Sequence, residues 1–294
     1  MTRHDYAAGA EVPARVMSRS HRHRITLALL GAVGAALVAT PASAWEPPPA
    51  NAGFDYQIGG DYPLPAGVSV VSRDWFSGTA APDPDYSVCY VNAFQTQADE
   101  RGADRPDERS NWPRSLVLKS LGDDPNWGGE YLVDISSARK RNRAAAWVQQ
   151  MIEGCAKGGF EAVEFDNLDS WTRFDGTPLA KKVPFGRRDA VAYARLLARR
   201  SHDLGLAVGQ KNTVELNATE RRRAGFDFAI AEECGRYREC GRYVRAYGDH
   251  VIAIEYSRKS FARTCAEIGD EVSVVLRDRN VSRPGARSYR FASC

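Results

Sequence analysis

Glu161-Ala-Val-Glu-Phe-Asp166, running on into Asn167-Leu-Asp169, is the stretch that decides the fold. Its core reads as a short strand, in which successive side chains point to opposite faces. Val163 and Phe165 are then expected to face covering helices, and Glu164 and Asp166 the other side. A carboxylate inside a sheet structure is costly unless it is paired, hydrogen-bonded or at work. Parallel barrels accommodate such groups, because their chemistry sits at the C-terminal ends of the strands. Asp166, at the strand end, is expected to carry chemistry. Glu164 lies deeper and is expected to join a structural hydrogen-bond network.

The flanking sequence supports a barrel. Ala138 to Lys157 is a helical stretch stopped by Gly158-Gly159, and Arg187 to Leu204 is a second, stopped by Gly205. Strand, helix, glycine and strand in that order is the βαβ rhythm of a parallel sheet. Further β-rich runs are Asp55-Tyr-Gln-Ile58, Val68-Ser-Val-Val71, Ser87-Val-Cys-Tyr-Val91, Tyr131-Leu-Val-Asp-Ile135 and Leu206-Ala-Val-Gly209. Phe226-Asp-Phe-Ala-Ile230, Val251-Ile-Ala-Ile254 and Val272-Ser-Val-Val-Leu276 complete the set. With Ala162 to Asp166 these make one candidate more than a barrel needs. The first strand is followed by no Gly-rich phosphate loop, which disfavours an open dinucleotide-binding sheet. The expected fold is therefore a single-domain (β/α)8 TIM-type barrel over residues 54–294.

Before the barrel, the basic run Arg19-Ser-His-Arg-His-Arg24 precedes an apolar stretch from Ile25 to Ala39 and the small-residue end Ala42-Ser-Ala44. That order is expected of an export signal over residues 1–44, cleaved near Ala44 to give a secreted protein. The apolar stretch is too short for stable membrane insertion. Residues 45–53, beginning Trp45-Glu-Pro-Pro-Pro49, read as a Pro-rich leader. Five arginines and two acids fall within the signal, so the net charge of +3 disappears, leaving 35 basic and 35 acidic side chains. Nothing then marks a nucleic-acid binder; Arg221-Arg-Arg223 and Arg199-Arg200 read as solvated helix faces.

All six cysteines follow the signal, and an even count in an exported chain favours disulfides. Cys234 and Cys240 are close enough to form a clip on one loop; the other pairings are open. Only His202 and His250 remain after signal removal, too few for a multi-histidine zinc site and scarce for a serine triad. Neither metal nor cofactor is expected.

A second acidic strand end is Phe226-Asp-Phe-Ala-Ile-Ala-Glu232-Glu233-Cys234. If its aromatic residues faced the helices, Glu233 would point inward; a bulge would turn Glu232 in instead. Both stay open on alternation alone. Carboxylates closing two strands of one barrel are what hydrolysis of a glycosidic bond requires, one giving a proton to the leaving oxygen and the other acting as nucleophile or base. Other polar strand ends, Asp55, Asp74, Asn92, Asp134, Asn167, Lys211, Asn212 and Tyr256, could line a sugar-binding cleft. Trp75, Trp127, Trp171, Tyr237 and Tyr256 are candidates to stack on sugar faces. The acidic surroundings of Lys211 favour hydrogen bonding over Schiff-base chemistry.

Gly159 to Asp169, Gly205-Leu-Ala-Val-Gly-Gln-Lys-Asn212 and Phe226 to Cys234, in that order, resemble glycoside hydrolase family 114, the endo-α-1,4-polygalactosaminidases. Trp127-Gly-Gly-Glu-Tyr-Leu-Val-Asp-Ile135, Asp55 to Ile58 and Ile254-Glu-Tyr256 look like further blocks of that family. The resemblance implies a TIM-type barrel, cleavage within an α-1,4-linked galactosamine-containing polysaccharide, and a catalytic pair falling on Asp166 and Glu232, with Glu233 as second choice. Asp55, Asp134, Lys211, Asn212 and Tyr256 are expected to hold sugar rings. One departure follows Cys89-Tyr-Val-Asn92, where the family usually has Gly and Glu and this chain reads Ala-Phe-Gln-Thr-Gln97. The expected protein is a secreted, monomeric endo-glycosidase acting on polysaccharide. The alternatives are a non-catalytic carbohydrate-binding barrel at the cell surface and a glycosidase for a different glycan.

Overall fold

The structure, a computed structural model, describes residues 45–77, 79–82, 84–97 and 112–294. The expected signal, residues 1–44, lies outside them. Eight parallel strands follow one another round the sheet: β1 (Phe54–Tyr56), β2 (Val70–Asp74), β3 (Tyr86–Asn92), β4 (Ala162–Asp166), β5 (Ala207–Lys211), β6 (Phe228–Glu232), β7 (Val251–Glu255) and β8 (Ser273–Arg277). A ninth, β9 (Phe291–Ser293), pairs antiparallel with β8. Phe54, Val70, Val88, Ala162, Ala207, Phe228, Ile252 and Val275, one residue from each parallel strand, pack into one cluster, which is the barrel interior. Its filling is tight. A Cβ at Gly209 would lie 2.9 Å from the Phe228 ring, so the glycine on β5 makes room for the aromatic on β6.

No backbone ladder joins β8 to β1. The seam is instead crossed by Arg277, which donates to Asp55 Oδ1 at 2.7 Å and also to the Tyr56 carbonyl. The helices are α1 (Ala138–Lys157), α2 (Arg187–His202), α3 (Ala218–Ala224), α4 (Cys234–Tyr237), α5 (Cys240–Tyr247) and α6 (Arg258–Ile268). Their starts are written locally: the Ser137 side chain caps α1, Ser257 caps α6, and Asn217 with Glu220 forms a capping box on α3. Val163 and Phe165 face outward and share one core cluster with Val148 and Ile152 of α1 and Leu197 of α2. Among the described residues the β1–β2 and β2–β3 connections carry no α-helix, so the barrel is of TIM type with its helices concentrated after β3 to β7.

Disulfides join Cys89 to Cys155, Cys234 to Cys240 and Cys265 to Cys294. The first staples β3 to α1 and the last ties the tail beyond β9 to α6. Among the described residues no helix is long and apolar enough to cross a membrane.

Tyr131–Ile135 is not a strand. It makes single bridges from Leu132 to Gln95 and from Val133 to Val117, and buries Leu132, Val133 and Ile135 in the outer core. The leader is docked rather than loose: the Trp45 ring stacks on His202 at 3.7 Å and its indole N–H donates to Asp227 at 3.0 Å. Tyr86 donates to the Glu46 carbonyl at 2.6 Å. These contacts lie at the N-terminal ends of the strands.

Candidate active site

At the opposite ends, three strands finish in the same way. Asp166, Lys211 and Glu232 close β4, β5 and β6, and the next residue in each case, Asn167, Asn212 or Glu233, has a positive φ of 62°, 47° or 56°. A left-handed residue breaks the strand at once and turns the chain away from the side chain just presented. Such backbone is costly for any residue but glycine, and tends to persist where a site demands it.

The three inward side chains meet. Lys211, 1 % exposed, places Nζ 3.3 Å from Asp166 Oδ1, 3.3 Å from Glu164 Oε2 and 3.8 Å from Glu232 Oε2. It also donates to the Tyr56 hydroxyl at 2.8 Å. Burial alone would lower its pKa, but Asp166, Glu164 and Glu232 together raise it well above the ordinary lysine range, so it is a permanent cation. Glu164 lies deepest, accepting from Ser72 Oγ at 2.5 Å. Burial, with the charges of Asp166 and Glu232 adding to it, raises its pKa despite Lys211 and Ser72.

Asp166 is held as an anion. Burial pushes its pKa up, but the Lys211 ammonium, the Asn167 N–H at 2.7 Å, the Tyr90 hydroxyl at 2.8 Å and Arg173 outweigh it and hold the carboxyl below the usual range. Glu232 is clamped differently. Asn212 Nδ2 donates to its Oε2 at 2.9 Å, the Glu232 N–H returns a bond to Asn212 Oδ1 at 2.8 Å, and the Tyr256 hydroxyl donates to Oε1. Both carboxylates keep an open side, at 18 % and 26 % side-chain exposure, whereas Glu164 has none.

A second tier surrounds them. Asn92, closing β3 in register with Asp166, donates to Glu130 Oε2 at 3.0 Å and accepts from Asn167 Nδ2 at 2.9 Å. Burial raises the Glu130 pKa to about 8 although the Asn92 amide opposes it, and the charges of Asp166 and Asp124 add to the rise. Arg173 donates to Asn167 Oδ1 at 2.7 Å and pairs with Asp124 at 2.9 Å.

With this geometry in place, the comparisons with known proteins are decisive. The profile of glycoside-hydrolase family GH114 matches residues 34–294. The chain belongs to family GH114. It is a glycoside hydrolase, as the resemblance in its sequence implies. Among solved structures it is similar to Ega3 of Aspergillus fumigatus, described in complex with galactosamine, at 18 % identity and TM-score 0.66, covering 86 % of this chain and 99 % of that one. It is similar also to the glycoside hydrolase domain of PelA from Pseudomonas aeruginosa, at 13 % identity and TM-score 0.52, covering 81 % and 98 %. No curated protein matches the sequence.

Within this GH114 barrel the residues singled out in the sequence divide. Asp166, Asn167, Lys211, Asn212, Glu232 and Tyr256 converge on one cluster. Asp74 lies near it at the end of β2, where Gln97 Nε2 donates to its Oδ2 at 2.7 Å. Gln97 closes the stretch Ala93 to Gln97, in which the sequence departs from the blocks of the resembled family.

Asp55 and Asp134 do not join the cluster. Asp55 is sealed in the seam with Arg277, and Asp134 binds Lys140 at 2.5 Å and Ser136 at 2.6 Å at the start of α1. Glu233 does not point inward: Phe228 and Ile230 belong to the interior cluster and Ala229 and Ala231 to the outer one, which turns Glu232 in without a bulge. Glu233 pairs with Arg236 and Arg279, each at 2.7 Å. Of the candidate stacking aromatics, Tyr256 is in the site, Trp75 and Trp171 lean on the outer core, and Trp127 and Tyr237 are exposed. Glu130, Tyr90, Tyr56 and Ser72 also belong to the site. Glu130 and Tyr56 stand inside the family-like blocks Trp127 to Ile135 and Asp55 to Ile58, the signal by which the sequence could point to them.

Proposed function

We propose that the protein is an exported, endo-acting hydrolase of α-1,4-linked galactosamine-containing polysaccharide, with Asp166 as nucleophile and Glu232 as acid and base. One observation carries the pair: two partly open carboxylates from separate strand ends share a single buried ammonium. Their oxygens are 3.3 and 3.8 Å from Lys211 Nζ, which sets them within about 7 Å of each other. Retaining glycosidases hold the two groups at roughly 5–5.5 Å and inverting ones at roughly 6.5–9.5 Å; the bound admits the retaining spacing, and retention is the outcome proposed.

In that mechanism an Asp166 oxygen attacks the anomeric carbon as the glycosidic C–O bond breaks, and Glu232 gives its proton to the departing oxygen. Glu232, now a carboxylate, takes a proton from water; the water oxygen bonds to the anomeric carbon and Asp166 leaves. Lys211 and Tyr90 keep Asp166 ionised for the first step. Asn212 and Tyr256 fix the orientation of Glu232 for both.

The galactosamine assignment rests on the family resemblance and on the galactosamine described with Ega3. It is supported by the cluster of Glu164, Asp166 and Glu232, whose field would attract a cationic polymer. Export is supported by three disulfides, which persist in oxidising compartments. The Gln97–Asp74 pair favours a second reading, in which the same chemistry acts on a different glycan. Purified protein on a panel of polysaccharides, with products sized by mass spectrometry, decides between them. Mixed-length oligosaccharides from the galactosamine polymer alone are expected; release from another polymer only would replace the substrate, and release from none would sink the reading.

A further inference from the structure

Among the described residues five large apolar side chains are exposed: Trp45, Phe76, Trp127, Leu204 and Tyr237. Trp45 and Leu204 lie at the N-terminal ends of the strands, whereas the other three follow β2, β3 and β6 and stand on the face that carries Asp166 and Glu232. A lone exposed ring needs no explanation. Trp127 and Tyr237 are set apart by how firmly each is held beside the catalytic pair.

Trp127 rides on a braced turn. Asp124 Oδ1 accepts from the N–H of Asn126 at 2.7 Å and from that of Trp127 at 3.3 Å, while Oδ2 takes Arg173 at 2.9 Å and Gln95 Nε2 at 3.0 Å. Arg173 is the residue that also donates to Asn167, next to Asp166. Three positions on, the Glu130 N–H returns to the Trp127 carbonyl at 3.2 Å, and its carboxyl accepts from Asn92, the register partner of Asp166. Tyr237 is fixed by other means. It ends α4, which starts two residues after Glu232, and its N–H donates to the Glu233 carbonyl at 3.1 Å. The Cys234–Cys240 disulfide closes the loop around it, and the Arg236 guanidinium lies over its ring at 5.4 Å. The residue is nevertheless 60 % exposed.

Round the rim the order is Trp127 after β3, Asp166 on β4, Lys211 on β5, Glu232 on β6 and Tyr237 just beyond it. The two aromatic residues bracket the pair. A sugar of galacto configuration carries its 4-oxygen axially, which leaves the hydrogens of C3, C4 and C5 together on one face. That apolar face packs on an aromatic ring, and an ammonium on the same sugar is drawn to the ring's π-face.

We propose that Trp127 and Tyr237 are outer sugar-binding platforms on opposite sides of the cleaved bond, each stacking one galactosamine unit of the bound polymer. The inference rests on the galactosamine reading above. It gives the Cys234–Cys240 clip a task, which is to hold Tyr237 at the rim, and it gives endo action a cause. A chain that touches both platforms has to continue past the pair in both directions.

The test uses an α-1,4-galactosamine octasaccharide labelled at its reducing end, with the cut positions read by mass spectrometry. Trp127→Ala should move the favoured cut toward one end of the octasaccharide and Tyr237→Ala toward the other, each with a roughly three- to tenfold rise in KM, the scale of one lost ring contact. The cut position is a ratio of products, so it is read on whatever fraction of a variant is folded. Trp127→Phe and Tyr237→Phe keep a ring and should keep the wild-type pattern. Shifts toward the same end, or an unchanged pattern in either alanine variant, would overturn the platforms alone. A shifted pattern in the phenylalanine variants would trace the effect to polar atoms and overturn the stacking. A wild type that leaves the octasaccharide whole overturns the galactosamine reading and the platforms with it.

Discussion

Arg277 at the end of β8 and Asp55 in β1 meet at 2.7 Å with neither side chain exposed, and they hold shut the one junction of the barrel that lacks a backbone ladder. Removing one partner from such a pair leaves a buried charge uncompensated, which costs about 3–5 kcal/mol. Asp55→Ala is expected to lose that much stability in urea denaturation, while the kcat of the folded enzyme changes little. A large kcat loss with unchanged stability would return Asp55 to the substrate.

Asp166→Asn should abolish nearly all turnover, with a fall of roughly 10³-fold or more in kcat, and leave the far-ultraviolet circular dichroism unchanged. Glu232→Gln should cost about 10²–10⁴-fold in kcat on the polymer. Normal turnover in either variant removes that residue from the proposed pair.

Proton NMR of the first products should show the anomeric configuration of the substrate. Inverted product as the first species formed would replace the nucleophile proposed at Asp166 by a base acting on water.

Glu130 sets a pH dependence. Its folded pKa, raised chiefly by burial to about 8 from an ordinary 4.5, means that the folded chain keeps a proton which the unfolded chain releases. The corresponding stability is fully present below about pH 4.5 and drains away as pH rises to about 8, with a slope of at most about 1.4 kcal/mol per pH unit. Glu130→Gln keeps the bond from Asn92 and should flatten that slope. Stability curves for wild type and variant that run parallel from pH 5 to 8 would contradict the assignment.

The disulfides should differ in worth. On the chain-entropy account, opening Cys89–Cys155, which spans 66 residues, costs about 4 kcal/mol, and opening Cys234–Cys240, which spans 6, costs about 2. Paired Cys→Ser variants measured by denaturation should fall in that order; the reverse order would mean that the short clip does more than restrict the unfolded chain.

The contrast between β4 and β6 shows what can be read from sequence. Glu164 and Asp166 alternate with Val163 and Phe165, so polarity alone fixes which face is inside. In β6 both faces are apolar, because helices cover one and the barrel interior the other, and the aromatic residues gave the wrong phase. Only the family pattern picked Glu232. Tyr131 to Ile135 has a strand's composition but finds single bridges instead of a neighbouring strand. The partners of Lys211, and the place of Glu130 beside Asn92, depend on register between segments far apart in the chain. No local pattern encodes that.

The docking of Trp45 on His202 has a practical consequence for how the enzyme can be held. In a protein made to begin at Trp45, an indole fixed at the strand starts puts the point of attachment for a resin, a fusion partner or a surface tether on the far pole from Asp166 and Glu232. Anchored there, the molecule would stand with its mouth turned outward to passing polymer.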